Sequence, residues 1–493
     1  MIAAGKRKLP GLAWALVIAI AVVISSARPV MAGAVASSQP ALRPDNVAAL
    51  RAVCDAMIAS AVKKPYGMGW SIDPPDSKAL AVNVPMGALQ TPAAGLVLYR
   101  AGRVLKDVKY VDAGTQVARA IASCQRPTGK IYDSALYGDF AGGKDAEGSR
   151  DAVSTRAGLG LILEILDTSD KKDTRLQAVA TQAAVWIRNQ EDPRGGWPSD
   201  LAIAGSRYPL RVYKMAQPDW RDNTLALALA GDVLGRSDAG SGAIRSADLL
   251  AGMQLHDDAA PFARGAWTSM YGIDALPVIK VAGSTYSIDT VATLHAGQVL
   301  VWRQLSHPDD LTGVALRRLA QTMKQLRRPD GQWYRLYGLP ASPMLPATRA
   351  DEPMARLFET TTTQPEDPTG FAPPGMQQLI DTIDWLQSPQ AAMSPVVIHE
   401  EIASLCCGLT DLPLIDPPPA DAKGLDAYMA RHPELNFDKP KVSASDSEAS
   451  YRMQLLQNQI RQCQSLLIRM SVPVPRTMST PTTMPTPATM PAP

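Results

Sequence analysis

The densest group of chemically capable side chains runs from Arg207 through Arg211 and Tyr213 to Arg221-Asp222-Asn223-Thr224, where a helical pattern begins. Asp222 and Asn223 offer the hard oxygen ligands that calcium prefers, and the same atoms suit sugar hydroxyls. Asp222 also stands where an aspartate caps a helix, so a purely structural role competes with the metal role. Further along, Trp267 and Tyr271 carry flat rings that suit pyranose faces or, as commonly, the packed base of a loop. Acids and arginines mixed with several Trp and Tyr residues fit a polysaccharide, anionic or neutral, better than an apolar ligand. Two carboxylates acting together would hydrolyse a glycosidic bond. Calcium opposite an Arg or Lys would instead acidify the C5 proton of a uronate and open a β-elimination. An arginine base is demanding, because its free pKa lies far above neutrality.

What must position these groups is a series of helices that come in pairs. Helical periodicity covers 93–105 with 111–125, 151–166 with 174–190, 222–234 with 243–254, 288–305 with 312–325, and 374–387 with 396–405. A further helix fits 44–62, and strand signals are few. Within a pair the turns are short, as at 167–172, 235–240 and 306–310. Between pairs the connections are long: 126–150, 191–221, 255–287 and 326–373. When short and long connections alternate along antiparallel helices, all the long ones leave at the same end. The expected fold is therefore all-α, an α/α toroid with long loops on one rim, and binding or catalysis belongs on that rim.

One local pattern marks each handover from helix to long loop. Gln190 through Asp192-Pro193-Arg194-Gly195-Gly196-Trp197 has the form of a helix end, a tight turn and a Trp laid back over the helix. Gln125 to Gly129-Lys130-Ile131-Tyr132 repeats it with Tyr, Gln325 to Gly331-Gln332-Trp333 repeats it with Trp, and Gln254 to Gly265-Ala266-Trp267 is a looser copy. A repeat of this length holds two helices and one long loop.

The chain has 493 residues, 46% of them hydrophobic, with a formal net charge of +2 and no block of Lys and Arg interleaved with aromatics. That composition is globular and gives nucleic acid little to bind. Lys6, Arg7 and Lys8 before the apolar run 12–24, then Val30-Met31-Ala32, read as a signal peptide over 1–32 and a secreted or periplasmic protein. A linker at 33–43 leads into the toroid at 44–415, followed by a Pro-rich, polar linker at 416–444. An amphipathic helix at 445–470, with Met453, Leu456, Ile460 and Leu467 on one side, packs on the domain or mediates self-association. The tail at 471–493, built of Pro, Thr, Ser and Met, has no means of forming a core. The cysteines are Cys54, Cys124, Cys406, Cys407 and Cys463; Cys54 with Cys124 is one candidate bridge, buried thiols the alternative.

Gly195-Gly196-Trp197-Pro198, a Tyr-containing loop and Arg221-Asp222-Asn223-Thr224 together resemble the family-ten pectate lyases. Trp267, Leu276-Pro277-Val278, Lys280 and Tyr286 are similar to a second segment of that family, and Ala355-Arg356-Leu357-Phe358-Glu359 to a third. The resemblance covers roughly 180–360. It implies an extracellular toroid that cleaves pectate with calcium, Asp222 as metal or substrate ligand, and Lys280 and Arg356 as the catalytic cations. Arg207, Arg211, Tyr213, Arg221, Asn223, Trp267 and Tyr271 would then hold an acidic polysaccharide. The sequence departs from the family where Ser199 stands for Gln, Asn223 for Asp and Lys280 for Arg. Lys lacks the bidentate fork of Arg, and Asn removes one negative charge from a calcium cage. A toroid that binds glycans or protein partners without chemistry, and a glycoside hydrolase, are the alternatives.

Overall fold

The computed structural model describes residues 44–74, 80–139, 141–145, 152–169, 173–201, 207, 209–255, 264–277, 287–338, 375–388, 398–410 and 447–471. The signal peptide, the linkers and the Pro-rich tail expected from sequence lie outside these residues. Among the described residues no helix is long and apolar enough to cross a membrane.

A leading helix α1 (Pro44–Ser60) precedes four helical hairpins: α2 (Thr91–Leu105) with α3 (Val108–Ser123), α4 (Val153–Thr168) with α5 (Thr174–Asn189), α6 (Asp219–Leu234) with α7 (Ser237–Gly252), and α8 (Thr290–Ser306) with α9 (Asp310–Leu326). Helices α10 (Met376–Leu386), α11 (His399–Cys406) and α12 (Glu448–Ser471) follow. The first helix of each hairpin packs on the first helix of the next, giving an inner row α2, α4, α6, α8 and α10. The second helices α3, α5, α7 and α9 pack in the same order outside it. This is the α/α toroid. The inner helices α2, α4, α6 and α8 are buried over most of their length, as helices covered on both sides are; in α4 every residue from Ser154 to Ile165 is buried. The outer helices bury one stripe only, such as Leu176, Val179, Ala180, Ala183, Ala184 and Ile187 of α5.

Every expected helix is present. The largest boundary shift is in α7, which begins at Ser237 because Gly235, with φ of 65°, closes the turn at once. Strands were under-read. The long loops carry short antiparallel pairings: β1 (Val62–Lys64) with β2 (Gly67–Gly69); β3 (Val82–Pro85), β4 (Ser134–Tyr137) and β5 (Ala141–Lys144); β6 (Ser199–Leu201), β7 (Leu210–Lys214) and β8 (Met270–Gly272); and β9 (Ser287–Asp289) with β10 (Leu336–Gly338). Strands of three to five residues are too short to show an alternation in sequence.

The repeated turn docks each hairpin on the next. Gly129, Gly195 and Gly265 have φ of 96°, 115° and 116°. A Cβ at these positions would sit 2.2, 2.7 and 2.4 Å from the backbone of Gln182, Arg245 and Arg318, each in the next outer helix. Both constraints select glycine. The indole N–H groups of Trp197, Trp267 and Trp333 donate to the carbonyls of Ile187, Leu250 and Met323, sealing the ends of α5, α7 and α9. Gln125 and Gln254 each donate both to a carbonyl of their own turn and to one in the next outer helix. The second copy is one residue out of the expected phase. Gln190 is exposed, and Glu191, four residues before Gly195, occupies the clamp position and accepts from Arg245 at 3.0 Å.

Two later helices complete the packing. Helix α11 lies against α4 and α6, where Gly160 gives it room: a Cβ there would come within 2.8 Å of Cys406 Cβ. Arg100 of α2 ties it to Glu164 of α4, donating also to the Ser404 hydroxyl and the Glu400 carbonyl. His399 bridges Asp167 and Asp232, at 2.9 and 3.4 Å. Helix α12 packs on α1 and α2, burying Leu456, Ile460, Cys463 and Met470. Of the two expectations for this helix, packing on the domain and self-association, the first is the one observed. Cys54 neighbours Cys463, not Cys124: its Sγ lies 3.5 Å from that of Cys463.

Candidate functional site

The long loops lead into the N-terminal ends of α4, α6 and α8, and there the inner row carries charge. Arg156, in the first turn of α4, has a side chain only 4% exposed. It donates to Asn223 Oδ1 and Asp219 Oδ1, both at 2.9 Å, and lies 3.8 Å from Asp222 Oδ2. Arg221, also buried, donates from Nε to Asp222 Oδ1 at 2.7 Å and from Nη1 to Gln298 Oε1 of α8 at 3.0 Å. Two guanidinium groups and two carboxylates therefore form one network across three inner helices. Asp219 and Asp222 sit in the first turn of α6, where the helix dipole favours anions.

The network is set by its surroundings. Trp220 donates to Ser246 Oγ of α7 and meets the Tyr213 ring edge-on at 4.9 Å, which fixes the start of α6. His295 of α8 lies beside the cluster, with Nδ1 3.2 Å from the Met215 carbonyl that follows β7. Burial and the nearby Arg221 hold its pKa well below the usual imidazole range, so it is neutral. On the next loop, Asp289 caps α8 through the Val291 and Ala292 amides, and Arg335 holds the same carboxylate at 3.1 and 3.3 Å. The two cluster carboxylates differ in access: the Asp219 side chain is 41% exposed, that of Asp222 11%. Asp219 is the acid that a ligand arriving from the loop side meets.

Of the residues picked from sequence, Arg221, Asp222 and Asn223 come together as expected. Asp222 is neither a helix cap nor fitted to calcium. The helix starts three residues earlier, with Pro218 at its N-cap; Asp222 Oδ1 accepts from Arg221, and Oδ2 lies 3.8 Å from the Arg156 guanidinium. A dication would have to displace both guanidinium groups and share the space with their charge. The donor set does not fit the metal. Trp267, Tyr271 and Tyr213 are fully buried, so none presents a face to a sugar. The Trp267 indole seals α7, and the Tyr271 hydroxyl accepts from the Thr268 amide. Arg207 and Arg211 are exposed, Arg211 on β7 opposite Asp200. Lys280 and Arg356 lie outside the described residues.

Sequence reasoning passed over Arg156 and Gln298, read His295 as a surface or packed histidine, and gave Asp219 no role beyond its place in the loop after Gln190. The signal was available for three of them. Arg156 is the one charge in the run from Val153 to Leu163, and His295 and Gln298 stand three apart in an apolar helix. A polar residue on a helix that must be buried on both sides needs a partner and marks a place where the fold pays for polarity.

No protein-family model matches the chain, and no curated relative does. Among solved structures, a D-mannose isomerase overlays with a TM-score of 0.37 at 11% identity, covering 60% of this chain and 75% of that one. A cold-adapted family 8 xylanase overlays with a TM-score of 0.36 at 10% identity, covering 88% and 94%. A cellobiose 2-epimerase from Bacillus thermoamylovorans B4167 gives 0.27 at 11% identity, covering 60% and 92%. Overlays this loose decide nothing about the chemistry at the rim.

Proposed function

We propose that the rim end of α4, α6 and α8 binds a polysaccharide and hydrolyses it, with Asp219 as the carboxylate that meets the substrate. The observation that carries this reading is the pairing of an accessible Asp219 with a buried Arg156–Asp222–Arg221 frame. Arg156 fixes the orientation of Asp219, as a catalytic carboxylate requires. In hydrolysis Asp219 serves as base or nucleophile, and a second carboxylic acid protonates the leaving oxygen.

The same frame argues against β-elimination at this place, although the sequence resembles pectate lyases. A lyase needs a cation able to give up its proton. Arg156 and Arg221 are each already engaged by a carboxylate of the frame. Among the described residues Asp219 and Asp222 stand against these two charges, and a neutral glycan suits that floor better than an acidic one.

The test is incubation with a panel of neutral and uronate-bearing polysaccharides, following reducing ends and ultraviolet absorbance together. Reducing ends without an absorbance rise are expected. A rise in absorbance from unsaturated ends would show elimination and overturn the reading. One observation favours a second reading, a toroid that binds glycans without turnover: every cluster carboxylate already has an internal partner. Binding that survives with no reducing ends from any substrate would establish it.

A further inference from the structure

We propose that Cys54 and Cys463 form a disulfide that fastens the last described helix to the first and so closes the chain on itself. Cys54 lies on α1 and Cys463 on α12, 409 residues apart in sequence. Their sulfurs are 3.5 Å from each other, and both side chains are fully buried. A disulfide bond of about 2.05 Å asks the sulfurs to approach by on the order of one bond length. Cys124, Cys406 and Cys407 are buried on other elements: Cys124 ends α3, and the Cys407 thiol donates to the Ala157 carbonyl of α4. Cys406 and Cys407 are adjacent residues at the end of α11 and already serve its packing.

The surroundings say when the bond forms. With α12 docked, burial and the facing Cys54 raise the Cys463 thiol well above its ordinary range, which makes it a poor nucleophile. Oxidation therefore belongs to a state in which α12 is loose, and docking then shields the product. The oxidant is an external disulfide such as glutathione disulfide. One cysteine thiolate attacks it, forming a mixed disulfide and releasing one glutathione. The second thiolate attacks the cysteine sulfur of that mixed disulfide and releases the other. The protein loses two electrons, which reduce the glutathione disulfide, and the two thiol protons pass to the glutathione thiolates.

The full chain, purified reduced, is exposed to glutathione disulfide in urea sufficient to loosen α12, returned to buffer, alkylated in denaturant and digested without reduction. Mass mapping is expected to show one linked peptide pair containing Cys54 and Cys463, with Cys124, Cys406 and Cys407 alkylated. Alkylation of all five cysteines, or a link from Cys54 to Cys124, would overturn the proposal. As a second measurement, limited proteolysis compares oxidised protein with the Cys54→Ser/Cys463→Ser variant, its helical content checked by circular dichroism. Release of the α12 peptide should be at least about tenfold slower in the oxidised protein. Equal release rates would show that the bond, if made, fastens nothing.

Discussion

Asp222 illustrates how one side chain changes meaning with its neighbours. In sequence it reads as a helix cap or a calcium ligand; in the fold it is the shared counter-charge of Arg156 and Arg221. Replacing it with Ala leaves two buried guanidinium groups short of charge. Loss of one partner from a buried pair costs about 3–5 kcal/mol. Asp222→Ala should therefore lower stability by that order, measured by urea unfolding, and Asp222→Asn by less. Because the oxygens are already occupied, millimolar calcium or a chelator should leave Tm unchanged within about 1 °C; a calcium-dependent rise of several degrees would restore the metal role. His399 gives a pH-dependent counterpart. Its bonds to Asp232 and Asp167 raise its pKa to about 9. The folded state thus holds a proton that the unfolded state, near 6.5, gives up first. The contribution is complete below about pH 6.5 and is lost as pH rises toward 9. His399→Ala should cost about 1–2 kcal/mol at pH 6 and close to nothing at pH 10, read from unfolding curves at both pH values.

At the scale of elements, the helices and the alternation of short and long connections were legible because a buried helix repeats its apolar positions over many turns. The rim strands were not, because each is shorter than the pattern that would reveal it. The recurring turn was legible in kind but out of register by one residue at its second copy and by two at its fourth, where Gln325 is exposed and Arg327 donates to the Gly331 carbonyl. Gln190 has the expected type, but the geometry counts back from Gly195, and four residues before it stands Glu191. The glycine, not the glutamine, is the fixed point, since it alone meets both a positive φ and a neighbouring backbone. Gly265→Ala would place a Cβ 2.4 Å from the Arg318 carbonyl, and should cost about 2–4 kcal/mol in urea unfolding. Gly240→Ala is the contrasting case. It lies within α7 with nothing inside 4 Å of the added Cβ, and should gain about 0.5–1 kcal/mol. Equal effects at the two sites would remove the docking role of the turn.

Over the whole molecule, the toroid separates two jobs. One end of the inner row is held by Arg100, Glu164 and His399, which lash α11 across α2, α4 and α6. The loop-bearing end holds the Arg156–Asp219–Asp222–Arg221 network, set close to the neutral His295. That the proposed chemistry belongs at the second end was deducible from loop lengths alone. Which residues carry it was not, since Arg156 and Asp219 belong to different hairpins and meet only through packing of α4 on α6. The sharpest measurement is the rate of reducing-end release from whichever polysaccharide the wild-type protein cleaves, compared with Asp219→Asn at matched Tm. A fall of roughly 10²–10⁴-fold with the fold intact is predicted for a carboxylate acting on the substrate. A rate within about twofold of wild type would contradict the placement of the active centre at Asp219.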